Sequence, residues 1–378
     1  MAVESWRLSR QELRRVLDNY EKAVEDDAVN LLRPTESERK LLGEAVLRRR
    51  AEAVRRARDA NRHFIEKMVE DLPDLLAGPD AVLVPPRPIA EVRCIDPKIP
   101  TLPTSSYGSL ASVLLHFFRD WSTVCDHVGT TTYAPAIAEL RALLPDGGDV
   151  LVPGCGLGRL ALMLAAGGFR VEANDASRLF LTAADYLLNR APSTGLPLYP
   201  LAHVFSENWS LAQQYIEVSV PSPSPATVAG VADPAESPAG DPTDRSLTPP
   251  MVLVPGDFVK LYGKGGPGHR RFDAILTSFF IDTVTDIAEL IEVMDGLLEE
   301  GGVWVNVGPL NWRKEARLKL CNDEIIAMWE SVGYEFVSRK NIDCDYHMPR
   351  GLKMYTESYQ CSLTAAVKRR KMDVAAAA

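Results

Sequence analysis

The six cysteines of this 378-residue chain, Cys94, Cys125, Cys155, Cys321, Cys344 and Cys361, are scattered and include no CxxC pair. A disulfide framework and a zinc site built on such pairs are excluded, and reduced thiols are the default. No other ligand spacing suggests a metal, and none is expected. Long apolar runs are also missing: none approaches the roughly 20 residues that a membrane-spanning helix needs, so no membrane association is expected. The amino terminus, "MAVESWRLSRQELRRVL", is charged from the start and lacks the apolar core and small-residue cleavage site of a secretory signal. A cytoplasmic, and also nuclear, setting is the expectation. Cations are in deficit, 42 Lys and Arg against 51 Asp and Glu for a formal charge of −9. A protein that neutralises nucleic-acid phosphates normally displays a basic face, so a small substrate is expected in place of a nucleic acid.

What is present is ample apolar material, 46% of the residues, enough for one large domain or one with an appendage. Residues 1–76 read as an amino-terminal helical module. Thr35 and Glu38 have the spacing of a capping box, and Phe64, Ile65, Met68, Val69 and Leu72 recur at helical spacing. The basic run "RRRAEAVRRAR" at 48–58 is flanked by acids and reads as a solvated helix face. Residues 77–129 read as a proline-rich linker followed by a helix, "YGSLASVLLHFFRDWS", that ends near Trp121 and caps a cofactor.

From 130 to 370 the pattern changes to short β-like runs alternating with helical segments. Those runs are "VLVPG", "RVEAND", "MVLVPGD", "FDAILTSFFID" and "GGVWVNVGP", followed by "EFVSRKNID" and "YQCSLTAAVKR". The alternation predicts an α/β fold with a doubly wound, seven-stranded, Rossmann-like sheet of the methyltransferase type. A Pro/Ala/Ser/Asp-rich stretch at 220–250 breaks it and reads as a disordered insertion.

Gly154, Gly156 and Gly158 follow a strand and open a helix, a combination that lets backbone approach a nucleotide-type ligand and offers unpaired N–H groups. The same turn also serves tight helix–strand packing. The spacing is G-x-G-x-G, and Arg159 stands where a dinucleotide fingerprint wants its third glycine. That favours S-adenosylmethionine over NAD(P). Asp175 ends the next strand, where a carboxylate meets ribose hydroxyls or caps a turn. Methyltransferase loops commonly carry an acid two positions before the first glycine, but Val152 holds that position here. Arg119 in "LLHFFRDWS" is the candidate to clamp the cofactor carboxylate, with a surface arginine as the other reading. Asp257 and Phe258 in "PGDFVKLYG" stand where adenine lies in this fold, unless Asp257 merely begins a turn.

Together, "FFRDWS", "VPGCGLGRLA", "GDFVKLYG", "SFFIDT", "GGVWVNVGPL" and "KMYTESYQC" resemble the carnosine N-methyltransferase family over nearly the whole chain, apart from 220–250. The resemblance implies an S-adenosylmethionine-dependent enzyme that methylates the imidazole of a histidine-containing dipeptide, carnosine to anserine. By matching position it implies cofactor contacts at His116 (Gln in the family), Arg119, Gly154, Asp175 (Glu in the family), Asp257, Phe258 and Ser278 (Cys in the family), alongside Gly156 of the loop. It implies substrate contacts at Asp282 and Tyr359. After "GPL" the family has a short aromatic run ending in a substrate-contacting His, whereas this chain reads "GPLNWRKE" with Arg313 there. The resemblance further implies a homodimer through the amino-terminal helices.

A carboxylate at Asp282 that accepts one imidazole N–H would fix the tautomer, leave the other nitrogen's lone pair free and stabilise the growing ring charge. A capping Asp is the alternative. Asn306 and Asn311 flank "VGPLN" as ligand contacts or turn residues, and His347 either supplies an imidazole displaced from the Arg313 position or is an exposed loop histidine. The competing functions are a methyltransferase of a protein or peptide histidine or another small imidazole, an NAD(P)-dependent oxidoreductase, and a non-enzymatic interaction protein.

Overall fold

Residues 8–71, 89–101, 110–230 and 251–369 are described in this computed structural model, and the side chains of residues 26–32 lie outside the description. Outside it also fall Leu72, residues 77–88 and 102–109 of the expected linker and helix start, and 231–250 of the expected insertion.

The chain opens with α1 (Arg10–Leu32), α2 (Glu36–Leu42) and α3 (Glu44–Asp71). The Thr35 hydroxyl accepts from the Glu38 N–H and the Glu38 carboxylate accepts from the Thr35 N–H, which is the expected capping box. Along the basic run, Ala53 and Ala57 face inward while Arg48, Arg49, Arg55, Arg56 and Arg58 are exposed. A two-residue strand β1 (Glu91–Val92) precedes α4 (Leu110–Trp121) and α5 (Ala134–Leu143).

Then follow β2 (Asp149–Pro153), α6 (Arg159–Ala166), β3 (Arg170–Asp175) and α7 (Arg178–Asn189). The crossover beyond α7 carries β4 (Leu196–Leu198), α8 (Leu211–Gln214), β5 (Val218–Val220) and α9 (Pro225–Ala229). The remainder is β6 (Met251–Pro255), α10 (Phe258–Tyr262), β7 (Phe272–Ser278), α11 (Ile287–Leu297), β8 (Leu298–Gly308), α12 (Asn322–Ser331), β9 (Tyr334–Asp345) and β10 (Ser358–Lys368).

The sheet order is β1-β6-β3-β2-β7-β8-β10-β9. Every neighbouring pair from β1 to β8 is parallel, and β10 runs antiparallel to both β8 and β9. Seven of these strands form the expected doubly wound sheet. The eighth, β1, comes from the segment read as linker. Two residues are too few for alternation to show in the sequence, yet they pair with β6 because that edge is otherwise open. Within the expected insertion, Ser224 caps α9, with Pro225 at its first turn and Gly230 in the left-handed region after it.

Residues along the strands alternate between two apolar clusters. Val150 and Val152, Ala274 and Leu276, and Val303, Val305 and Val307 face α1 and α3 to α7, while Leu151, Ile275 and Trp304 face α10, α11 and α12. Phe64 of α3 packs on Phe117 of α4 and Tyr186 of α7, with ring centroids 5.2 and 6.0 Å apart. The amino-terminal helices thus share one core with the sheet. The strand order reverses between β2 and β7, and the loops leaving β2, β3, β6, β7 and β8 all emerge at one sheet edge. In open α/β sheets ligands bind at that switch point.

Candidate functional site

Gly154, Gly156 and Gly158 have φ of +66°, +54° and +79°, a conformation that favours glycine at each. A Cβ on Gly154 would stand 2.5 Å from the Phe280 ring, whereas one on Gly156 would meet nothing within 4 Å. The loop therefore packs on the end of β7 at its first glycine and leaves open space at its second. Beside it lies a cavity lined by His116, Arg119, Asp120, Tyr133, Gly154, Cys155, Gly156, Arg159, Ser278, Phe279 and Tyr346, among others. Five of the cofactor candidates thus come together: His116, Arg119, Gly154, Gly156 and Ser278.

Arg119 is held by its neighbour, with Nε and Nη2 donating to the two oxygens of Asp120 at 2.8 Å each. Asp120 also accepts from the Tyr133 hydroxyl at 2.8 Å, and the guanidinium lies over the Tyr346 ring, 4.8 Å from its centroid. The surface reading of Arg119 is thereby corrected: paired with Asp120, its side chain is only 10% exposed. His116 Nδ1 donates to the Ser112 carbonyl at 2.8 Å, which leaves Nε2 with a lone pair. Burial, Arg119 and His347 hold the His116 imidazole well below its ordinary pKa, so it is neutral.

Asp175 does not appear in the cavity lining; it stands behind the loop and buttresses it. Its carboxylate accepts from the N–H groups of Gly156 (2.9 Å) and Ser177 (2.8 Å). Burial pushes its carboxyl up to about 6 against those hydrogen bonds. The Ala176 N–H also bonds this carboxylate, and a carboxylate has about four lone-pair sites, so about one remains for ligand. Asp257 caps α10 through the Lys260 N–H at 3.1 Å, and Phe258 is buried against Tyr262 and Phe280.

At the end of β7, Phe279 has a φ of +50°, a strained conformation for a side chain with a Cβ, of a kind concentrated at functional sites. Its ring stacks on Tyr346 at 4.9 Å and meets Tyr359 edge-on at 5.9 Å, forming an aromatic wall. Asp282 follows, 5% exposed, its carboxylate accepting the Asn311 N–H at 2.8 Å. Burial raises its pKa, opposed by that hydrogen bond and by the charge of Arg313. The Tyr359 phenol is raised by burial and feels both the Asn311 side chain and Asp282. The charge of Arg313 lowers the pKa of Asp282 and of Asp175 alike, and its backbone N–H donates to the Asp282 carbonyl at 3.4 Å. Asp282 from the turn after β7, Arg313 from the loop after β8 and Tyr359 from the start of β10 are thus brought together.

Two sequence readings change. His347 is only 9% exposed and packs against His116 at 4.7 Å between ring centroids, with Glu357 3.4 Å from Nδ1. Asn306 is a sheet residue whose Oδ1 accepts from the buried Thr277 hydroxyl at 2.9 Å. Sequence reasoning missed Tyr346, Tyr133 and Asp120. Only Asp120, adjacent to Arg119 in a helix, carried a local signal. Among the described residues no group of three or more His, Cys, Asp or Glu is placed to hold a metal ion, and no helix is long and apolar enough to cross a membrane.

A family model described as carnosine N-methyltransferase matches residues 100–370. The carnosine N-methyltransferase of Schizosaccharomyces pombe is 30% identical over 258 residues, covering 63% of this chain and 65% of that one. That of Rattus norvegicus is 30% identical over 278 residues, covering 70% of this chain and 64% of that one. The chain thus spans just under two thirds of the length of these curated relatives. Among solved structures, magnesium protoporphyrin IX methyltransferase from Synechocystis PCC 6803 with bound S-adenosylhomocysteine aligns over 70% of this chain and 96% of that one, at 12% identity and a TM-score of 0.39.

Proposed function

The chain belongs to the carnosine N-methyltransferase family, and on that premise we propose that it uses S-adenosylmethionine to methylate the imidazole of a histidine-containing dipeptide such as carnosine, giving anserine. The observation that carries the reading is Asp282: a buried carboxylate beside Tyr359 and Arg313, joined by the Phe279 wall to the glycine-loop cavity. Family membership also sets aside the dinucleotide oxidoreductase that the glycine loop alone left open.

The residues fit such a cofactor. Gly156 leaves open space for its approach. Asp175 keeps acceptor capacity for ribose hydroxyls, Asp257 and Phe258 stand on the adenine side, and His116, Arg119 and Ser278 line the cavity's other end. When bound, S-adenosylmethionine supplies a methyl group made electrophilic by its sulfonium.

Asp282 accepts one imidazole N–H, which selects the tautomer and leaves the other ring nitrogen its lone pair. The same carboxylate stabilises the positive charge that the ring acquires. Burial raises its pKa, and its Asn311 hydrogen bond and the charge of Arg313 favour the ionised form against that burial. An imidazole with a pKa near 6.5 is mostly neutral at cellular pH, so no residue need act as a base beforehand. Arg313, in the place of a family histidine, binds the dipeptide carboxylate, a task a guanidinium fork performs well. The enzyme acts by positioning more than by proton transfer.

A radiolabel methyl-transfer assay with carnosine, homocarnosine, free histidine and histidine-containing peptides tests this. Label on the dipeptides is the expected result. Label on the peptides alone would move the substrate to a protein histidine, and a folded, cofactor-bound protein that labels no imidazole would overturn the proposal.

A further inference from the structure

The cavity that holds Arg119 holds a second guanidinium, at a position that sequence reasoning used only to reject a dinucleotide. Arg159 is the first residue of α6, lines the same cavity and is 9% exposed. Its guanidinium lies over Trp121, 5.1 Å from the ring centroid, which fixes its place. The commitments of the two arginines differ. Arg119 makes a two-pronged pair with Asp120 at 2.8 Å per prong, which largely neutralises it. Arg159 reaches the Asp120 carbonyl and the Asp126 carboxylate only at 3.3 Å each, and the Asp126 side chain is 55% exposed, so water screens that contact. Arg159 Nε is buried and has no acceptor among the described residues. A buried N–H without an acceptor, in a cavity at a helix amino terminus, calls for an anion.

We infer that Arg159 binds the carboxylate at the amino-acid end of the methyl donor. Arg119, tied to Asp120 and stacked on Tyr346, is the positioning residue that keeps this end of the cavity formed. The carboxylate completes the hydrogen bonding of Arg159 and adds charge where the α6 amino terminus favours it. The inference rests on the S-adenosylmethionine reading above.

Calorimetric titration of the full chain with two ligands tests it. S-adenosylhomocysteine carries the carboxylate, whereas 5′-methylthioadenosine keeps the adenosine and sulfur without it. Arg159→Gln is expected to weaken S-adenosylhomocysteine about 10- to 100-fold, the range of one hydrogen bond to a charged group, and to leave 5′-methylthioadenosine within about twofold. Arg159→Lys, which keeps the charge but not the fork, is expected to fall between Arg159→Gln and the unaltered chain. Unchanged S-adenosylhomocysteine affinity in Arg159→Gln, or equal losses for both ligands in both variants, would overturn the assignment. If the unaltered chain binds neither ligand, the cofactor reading itself fails and this assignment falls with it.

Discussion

Burial raises the pKa of Asp175 and of Asp282 alike, yet the two carboxylates sit in different settings and respond to different experiments. With its carboxyl at about 6, Asp175 is ionised at pH 7 and protonated below pH 6. In the proposed cofactor site ribose hydroxyls would donate to the ionised form, so affinity for S-adenosylhomocysteine should drop about tenfold between pH 7.5 and pH 5, and Asp175→Asn should flatten that profile. The sign reverses for the unliganded fold. There the folded carboxyl holds its proton to higher pH than the unfolded one, so this group's contribution to stability is lost as pH rises through about 6. Thermal melts with and without ligand separate the two trends. Asp282→Asn keeps the side chain's shape and removes its charge. Turnover should fall about 10²- to 10³-fold, the usual loss when one preorganised stabiliser is removed, while S-adenosylhomocysteine affinity stays within about twofold. A parallel loss of binding would place Asp282 on the cofactor side instead.

Among the elements, legibility followed local signal. β3 was readable to both its ends because "RVEAND" is bounded by a glycine-rich turn and an acid, and the Thr35 box announced α2 outright. β1 was not, since a two-residue edge strand has no period, and α9 was hidden by the low-complexity composition around it. The site divides the same way. The glycine loop, Asp175 and Asp282 lie at strand ends visible in sequence. Tyr346 joins the cavity only because the loop between β9 and β10 folds back onto Phe279, a contact that no local pattern encodes. His347 was misread for that reason too: loop membership says nothing of burial once the loop covers a site. The start of α11 offers a test at this scale. Asp286 accepts from the N–H groups of Ala288 (3.0 Å) and Glu289 (3.3 Å) and pairs with Arg317 at 2.9 Å. Asp286→Ala should cost about 1 kcal/mol in urea unfolding with an unchanged slope. A loss near zero would mean that α11 is held by packing alone.

At the scale of the whole molecule, the amino-terminal helices and the sheet share one core, which predicts that they unfold together. Phe64 is fully buried and touches α4 and α7. Phe64→Ala should therefore cost about 3 to 5 kcal/mol and lower a single unfolding transition seen equally by far-ultraviolet circular dichroism and tryptophan fluorescence. Two separated transitions would show that the helices fold apart. A second consequence of tight packing runs between the two halves of the site. The missing Cβ of Gly154 is what gives the Phe280 ring its room, and Phe280 stands two residues before Asp282. The donor loop and the acceptor loop thus share one piece of volume. Positions 154 and 280 should accordingly be inherited as a pair: any relative with a side chain at the first should carry a smaller one at the second, and a lone change at either should disturb donor and acceptor together.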